Sequence, residues 1–265
     1  MEFLTLYGLL GALVIGIVLG LTGIGGSILT VPVLVYLLSV NPVTATAYSL
    51  FVVGTTSLFG TIKNVQKGMI EYRTAFVLAV PAFIAVYLTR KLIVPSIPDI
   101  IIIYNNFVLT KELFLMLFFA FVMLMASVSM IITRKEVLVK EAGNLNYTLM
   151  IFEGFVIGVI TGLVGAGGGF LIIPTLVIFA NLSMKKAVAT SLMIIAIKSL
   201  IGFLGDVGNV YIDWEFLLLF TALSIAGIVL GIYLSNFIEG KKLKKAFGWF
   251  VLSMAIYVII KELIF

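Results

Sequence analysis

The sequence contains neither cysteine nor histidine, and only 11% of its 265 residues are charged. These absences exclude disulfides, thiolate or imidazole metal ligands, cysteine nucleophiles and histidine general bases. The nucleophilic chemistry that remains is serine with lysine, and the adjacent Lys198 and Ser199 point to different faces of a helix. We therefore expect neither an enzyme nor a bound cofactor.

Apolar residues take the place of the missing charge, since they make up 62% of the chain and its mean hydropathy is +1.27. A membrane-spanning helix needs about 20 mostly apolar residues. Runs of that length cover Phe3–Leu21, Ala75–Val94, Leu113–Thr133 and Phe216–Phe237. The composition predicts a multi-pass membrane protein in a lipid bilayer. We attribute the net charge of +5 to loop residues and expect no nucleic-acid partner.

The chain contains an internal repeat. Shifting it by 142 residues aligns positions 14–73 with positions 156–215 without a gap, and 21 of the 60 pairs are identical. Nine of these identities fall on glycine, proline and serine, which a shared apolar composition does not explain, and they indicate a duplicated unit. They include Gly16/Gly158, Gly20/Gly162, Gly23/Gly165, Gly25/Gly167, Gly26/Gly168, Pro32/Pro174, Ser49/Ser191, Ser57/Ser199 and Gly60/Gly202.

Each copy predicts the same series of helices: a long apolar helix that ends in a glycine-rich break, a short helix, and three further spans. The breaks are Gly23–Ser27 and Gly165–Gly169. We expect an all-α membrane protein with about eight to ten membrane segments. Residues 1–140 form the first repeat, residues 141–265 form the second, and together they make one transport domain. Whether the short helices span the membrane or are re-entrant is left open.

Loop charges predict how the copies are oriented. An odd number of crossings per copy inverts the second copy relative to the first, and the positive-inside rule tests that assignment. Twelve basic residues then lie on one side and four on the other, which predicts that both termini are outside the cell membrane. The twelve are Lys63, Lys67, Arg73, Arg134, Lys135, Lys140, Lys185, Lys186, Lys241, Lys242, Lys244 and Lys245, and the four are Arg90, Lys91, Lys111 and Lys261.

The glycine breaks predict an anion site. Non-helical backbone at membrane depth requires a protein interior or a water-lined cavity, and the short helix after each break presents unpaired N–H groups and a positive dipole end. Inversion would bring two such helix starts together near the membrane midplane, as in transporters with discontinuous helices. The alternative is that glycine only permits tight helix packing, which suits Gly16, Gly20, Gly158 and Gly162 better.

Lys198 lies inside an apolar run, where a charged residue is expected to face a cavity. Its alternative is to extend to the outer surface. Its repeat mate is Thr56, so the predicted site is asymmetric. The recurring serines would donate hydrogen bonds to an oxyanion or bond back to their own helices. The residues predicted to contact the anion are Gly23, Gly25, Gly26, Ser27, Gly165, Gly167, Gly168, Gly169, Lys198, Thr56, Ser49, Ser191, Ser57 and Ser199.

Two other interpretations concern coupling and charge selectivity. Glu153 is the one acid inside a predicted span, and it is either an interfacial residue or a group that carries a coupling proton. A cation channel or carrier would instead use the carbonyl groups of the broken helices as ligands. Lys198 near the site disfavours that alternative.

The motifs resemble those of the TauE/SafE sulfite exporter family, also called the toluene-sulfonate uptake permeases. The resemblance rests on the doubled glycine motif at 20–34 and 162–176, together with Ala-Thr-Ala-Tyr-Ser-Leu at 45–50 and Ala-Val-Ala-Thr-Ser-Leu at 187–192. It implies secondary transport of sulfur-containing anions such as sulfite, sulfoacetate and other sulfonates. Ser27 stands where the family often has a third glycine. The resemblance does not fix the substrate, the direction of transport, the coupling ion or the oligomeric state.

Overall fold

A computed structural model describes residues 2–23, 26–104, 107–132, 147–235 and 240–264, with backbone alone for 2–7, 104, 107 and 240–244. The helices are α1 Glu2–Thr22, α2 Gly26–Pro32 with a π-helical extension Val33–Leu37, α3 Pro42–Gln66, α4 Tyr72–Leu88 with a π-helical extension Thr89–Ile93, α5 Val94–Ser96, α6 Lys111–Ile131, α7 Tyr147–Val164, α8 Gly169–Ile178, α9 Met184–Asp206, α10 Trp214–Leu234 and α11 Gly240–Ile264.

The all-α membrane architecture is confirmed. Among the described residues, seven helices are long and apolar enough to cross a membrane, and three shorter apolar helices accompany them, within the predicted eight to ten segments. One element was not predicted: strands β1 Ile100–Tyr104 and β2 Phe107–Thr110 form an antiparallel hairpin between α5 and α6. Its β-branched isoleucines favour a strand, but in so apolar a chain they do not stand out from the helical runs.

Local capping fixes where several helices begin. The Asn41 side chain accepts a hydrogen bond of 2.9 Å from the N–H of Val43, and Pro42 occupies the first helical position of α3. Asp213 caps α10 by accepting from the N–H of Phe216 at 3.1 Å. Helix α9 continues to Asp206, so that this acidic side chain is helical.

Both short helices return beside the helix that precedes them. A Cβ on Gly26 would lie 3.0 Å from the nitrogen of Leu19, and one on Gly11 would lie 2.9 Å from Val33, so α2 runs antiparallel to α1. In the second copy, Leu171 and Thr175 of α8 line a groove together with residues of α7. Each break is therefore the tip of a helical hairpin.

The long helices pack in pairs that the repeat relates to each other. A Cβ on Gly16 of α1 would meet the Gly227 Cα of α10 at 2.9 Å, so the two backbones touch there. The repeat shift of 142 residues makes Gly158 the mate of Gly16 and Ala85 the mate of Gly227. The equivalent contact is also present, because a Cβ on Gly158 would meet Ala85 of α4. The contact of α1 with α10 is thus repeated by that of α7 with α4. This confirms the packing role expected of Gly16 and Gly158.

Helices α3 and α9 cross at the centre in opposite chain directions, since Gly54 lies against Leu200 and Gly60 against Leu192. The bundle has two ends. At the hairpin end, which carries β1 and β2, the N–H of Asp213 donates to the hydroxyl of Tyr48 at 2.6 Å. At the opposite end, here called the basic end, Lys186 and Glu71 approach to 3.9 Å. Its described basic residues are Lys63, Lys67, Arg73, Lys185, Lys186 and Lys245.

Replacing Gly16 by valine tests the backbone contact. We expect a loss of about 1–3 kcal/mol of stability, because the neighbouring α10 backbone cannot move aside as a flexible side chain would. The measurement is the thermal unfolding midpoint of the purified protein in detergent, which should fall by several degrees. Gly68→Asn is the matched control, since no atom lies within 4 Å of that Cβ and asparagine tolerates the positive φ of 62°. Equal midpoints for both variants would contradict the contact.

Candidate functional site

The two glycine breaks lie against each other in the middle of the bundle. A Cβ on Gly167, in the second break, would lie 3.1 Å from the Cβ of Ser27, in the first turn of α2. Ser27 is completely buried. The same Gly167 position touches Val53 of α3 and Ile195 of α9, which are repeat mates of each other. The second break therefore reaches the place where α3 and α9 cross.

The start of α8 is built by a glycine that other residues replace poorly. Gly168 caps the helix with a φ of 71°, a left-handed conformation that favours glycine. Its carbonyl accepts from the N–H groups of Leu171 and Ile172, both at 3.0 Å. The N–H groups of Gly169 and Phe170 precede these bonds and belong to the orphan donors of a helix start. An anion placed here would meet donors and the positive end of the helix dipole.

Lys198 brings a cation to this helix start. Its Nζ would be 3.4 Å from a Cβ on Gly168, and it donates a hydrogen bond of 2.8 Å to the hydroxyl of Thr161. The side chain is completely buried, so it does not extend to the surface. No carboxylate of the described residues lies within 4.0 Å of the amine. A buried amine without an acidic partner is costly and favours a bound anion.

Hydroxyl groups accompany Lys198 at the crossing of α3 and α9. The register of the two helices places Thr56 at the same level as Lys198, and the Thr56 hydroxyl is buried with no partner among the described atoms. The hydroxyls of Ser49, Ser57 and Ser199 are buried in the same unpartnered state. Ser191 differs, because its hydroxyl donates to the Val188 carbonyl of its own helix at 2.9 Å.

Other predicted site residues have an evident packing role. Gly26 and Gly165 lie so close to the backbone of their neighbours, Leu19 and Thr46 respectively, that a side chain would collide. Gly23 faces Val188, the repeat mate of Thr46, so the two breaks are flanked in matching ways. Gly165 and Gly23 also have positive φ values of 71° and 64°. Gly25 lies outside the described residues.

Sequence reasoning missed a buried ion pair near the second break. Arg90 was counted among the basic residues of the outer side, but its Nε lies 2.8 Å from the Asp206 Oδ2, and the two side chains are 0% and 3% exposed. The signal was present, because Arg90 falls inside the apolar run Ala75–Val94. Thr161, the acceptor for Lys198, was missed as well. Its position next to Gly162 in the glycine motif was the available hint.

Glu153 is half-buried near the start of α7, in a groove of about 230 Å³ that it shares with Thr175 of α8. Its Oε2 atom is buried without a hydrogen-bond partner in the described structure. The groove is also lined by Phe152, whose side chain is largely exposed, so it opens on the outer surface of the bundle. The prediction that Glu153 is the one acid inside a span was wrong, because the spans of the described residues also contain Glu112, Asp206, Glu215 and Glu262.

Comparison with known proteins gives a match over nearly the whole chain. The family described as "Sulfite exporter TauE/SafE" matches residues 8–258, which confirms the resemblance seen in the glycine motifs. A "Probable membrane transporter protein" of Xylella fastidiosa strain 9a5c is 28% identical over 253 residues, 92% of this chain and 91% of its own length. The "Probable membrane transporter protein YdhB" of Bacillus subtilis is 25% identical over 88% of this chain and 91% of its own. No solved structure matches the chain.

A double-mutant cycle tests the bond between Lys198 and Thr161. We expect Thr161→Val and Lys198→Met to be non-additive in unfolding free energy by about 1–3 kcal/mol, because either change alone removes the hydrogen bond. The measurement is denaturant unfolding of the four proteins in mild detergent. Thr221→Val paired with Lys198→Met is the control, since the Thr221 hydroxyl donates to Leu217 of its own helix and should give additive effects. Additivity in both cycles would show that Lys198 and Thr161 are uncoupled.

Proposed function

Because the chain belongs to the TauE/SafE sulfite exporter family, whose members are membrane transporters and not enzymes, we propose that it is a secondary transporter of sulfur-containing anions. Sulfite and sulfonates such as sulfoacetate are the proposed substrates. The observation that supports an anion best is Lys198, a buried amine without an acidic partner at the start of α8. A substrate anion would supply the missing negative charge.

The proposed binding site lies between the two glycine breaks. The N–H groups of Gly169 and Phe170, the amine of Lys198 and the hydroxyl of Thr56 surround it. These donors suit an oxyanion, because hydrogen bonds to a charged acceptor are about twice as strong as neutral ones. Three further hydroxyls, of Ser49, Ser57 and Ser199, are available to donate during transport.

We further propose that residues 1–140 and 141–265 are inverted repeats. The support is that α1 of the first copy packs on α10 of the second, while α7 of the second copy packs on α4 of the first. In addition, the described residues of each copy contain three long spans besides the helix pair that the glycine break joins. Three crossings per copy invert the second copy in the membrane. The basic end is then cytoplasmic and the hairpin end, with both termini, is outside the cell membrane. Arg90 is buried, so it no longer counts among the basic residues of the outer loops.

Alternating access follows from this arrangement, since the site lies between two halves that can tilt about it in turn. Glu153 is the residue we propose for a coupling proton, because its carboxylate lies in a groove between α7 and the short helix α8. A cation carrier that uses backbone carbonyls is disfavoured by the amine of Lys198, which would repel its substrate at close range.

Anion flux into liposomes tests the proposed function. We expect uptake of labelled sulfite or sulfoacetate by the wild type, and a loss of about tenfold or more in Lys198→Met, because a charge-assisted hydrogen bond to the substrate is removed. Lys91→Met is the matched control, since Lys91 is exposed at the hairpin end and should leave flux unchanged. Equal flux in both variants would remove Lys198 from the site. Flux of an inorganic cation without anion flux would favour the cation carrier.

Cysteine labelling tests the proposed orientation, because the chain has no cysteine of its own. Tyr211 is 88% exposed at the hairpin end, and Lys67 is exposed at the basic end. A membrane-impermeant thiol reagent added to intact cells should label Tyr211→Cys and leave Lys67→Cys unlabelled until the cells are opened. The reverse pattern would place the basic end outside and contradict the positive-inside assignment.

A further inference from the structure

Side chains form three layers from the site to the hairpin end, and Lys198 lies in the first of them. Lys198, Gly202 and Asp206 follow one another at four-residue spacing on α9, so they lie on neighbouring parts of one helix face over about 12 Å. In the middle layer a Cβ on Gly202 would meet Val86 of α4 and Leu50 of α3. The layer above contains Asp206. A substrate that leaves Lys198 toward the hairpin end by this route must pass both layers.

The uppermost layer is held by charge. Arg90 of α4 approaches Asp206 of α9 through Nε at 2.8 Å, and its Nη2 donates to the hydroxyl of Thr46 on α3 at 2.9 Å. Thr46 in turn donates to the Val43 carbonyl at 2.7 Å. Arg90 and Asp206 are buried, and the Arg90 Nη1 has no hydrogen-bond partner among the described atoms. One guanidinium thus ties three helices together across the top of the route.

The equivalent layers around Gly60 and Asn64, toward the basic end, have matching packing without the charges. Gly60, the repeat mate of Gly202, lies against Leu192 and Ile228, which are the mates of Leu50 and Val86. In the next layer Ile232 replaces Arg90, Asn64 replaces Asp206 and Val188 replaces Thr46. Leu19, Leu192, Ile228 and Ile232 form a separate buried apolar cluster there. Equivalent positions are therefore closed by an ion pair in one half and by apolar contacts in the other.

We propose that Arg90 and Asp206, with Thr46, form a gate on the outer side of the site, and that Arg90 is the first protein group to bind an anion that arrives from outside. The inference rests on the proposed function, which supplies the anion and the orientation. An oxyanion suits Arg90, because guanidinium binds carboxylates and other oxyanions through the same fork of N–H groups. The anion replaces Asp206 on Arg90, and α4 and α9 then separate.

The energetic logic favours exchange over simple rupture. Separating a buried pair leaves both charges without partners, and this is far more costly than breaking an exposed pair. An incoming anion takes the place of Asp206 on the guanidinium. It therefore removes the part of that free-energy cost that comes from leaving Arg90 without a partner. The Arg90 Nη1, which has no hydrogen-bond partner among the described atoms, gives the anion a further donor once the pair begins to separate.

Accessibility of a buried cysteine below the gate tests this proposal. Leu50→Cys places a thiol in the middle layer, and Leu192→Cys places one at the equivalent position of the other half. In right-side-out vesicles, a membrane-impermeant thiol reagent should label residue 50 about tenfold faster in Asp206→Asn, because a neutral amide then replaces the carboxylate that pairs with the guanidinium. Labelling of residue 192 in inside-out vesicles should not change.

The outcomes separate a gate from a general loss of structure. An unchanged rate at residue 50 in Asp206→Asn would overturn the gate. Equal acceleration at residues 50 and 192 would overturn it too, because it would mean that the whole bundle has loosened. The doubly neutral variant Arg90→Gln with Asp206→Asn leaves no buried charge unpaired in this layer. It should keep the wild-type rate at residue 192 and a raised rate at residue 50.

External sulfoacetate tests the role of Arg90 as an anion ligand. It should accelerate labelling of residue 50 in the otherwise wild-type protein and have no effect in the doubly neutral variant. Acceleration by Asp206→Asn without any effect of sulfoacetate would overturn the anion's contact with Arg90 while the gate itself stands. Failure of the proposed function is recognised separately, as a wild-type protein that transports neither sulfite nor sulfoacetate in liposomes.

Discussion

Direct contact between helix backbones is the constraint on which the rest of this structure depends. At Gly16 with Gly227, and at Gly158 with Ala85, two helices approach more closely than any larger side chain allows. In a bilayer the hydrophobic effect does not hold helices together, so such close packing supplies much of the attraction between them. The glycine breaks follow α1 and α7 directly along the chain. Their position in the centre is thereby set by the same contacts.

Electrostatic asymmetry is superimposed on this near-symmetric packing. Lys198 faces the second break where its repeat mate is Thr56, and Arg90 with Asp206 stands where the other half has Ile232 and Asn64. Duplication explains the shared glycines, whereas these substitutions must have arisen after it. They concentrate charge in one half of the molecule, around the start of α8 and toward the hairpin end. The two directions of opening are consequently not equivalent in energy.

Sequence alone predicted the membrane class, the duplication and the breaks, because glycine and apolar length are local signals. It also predicted Lys198, since a charge in an apolar run is conspicuous. It failed for Arg90 and Asp206, which lie near the predicted ends of spans, where a basic or acidic residue is ordinarily a loop residue. Only the contact between α4 and α9 shows that they are paired. The fold-back of α2 and α8 likewise depends on tertiary contacts with α1 and α7 and has no local signature.

The asymmetry at the crossing of α3 and α9 has a physical reason. Residues 56 and 198 lie at one level, beside the two-fold axis of the proposed inverted repeats, so two lysines there would repel each other and double the cost of burial. One lysine and one threonine supply a single positive charge and a neutral donor. With the amine protonated, a bound hydrogensulfite ion makes the core neutral, whereas the dianion sulfoacetate leaves one negative charge for the neutral donors to stabilise. A single cation beside this axis therefore limits the charge that the proposed carrier must bury when it closes over its substrate.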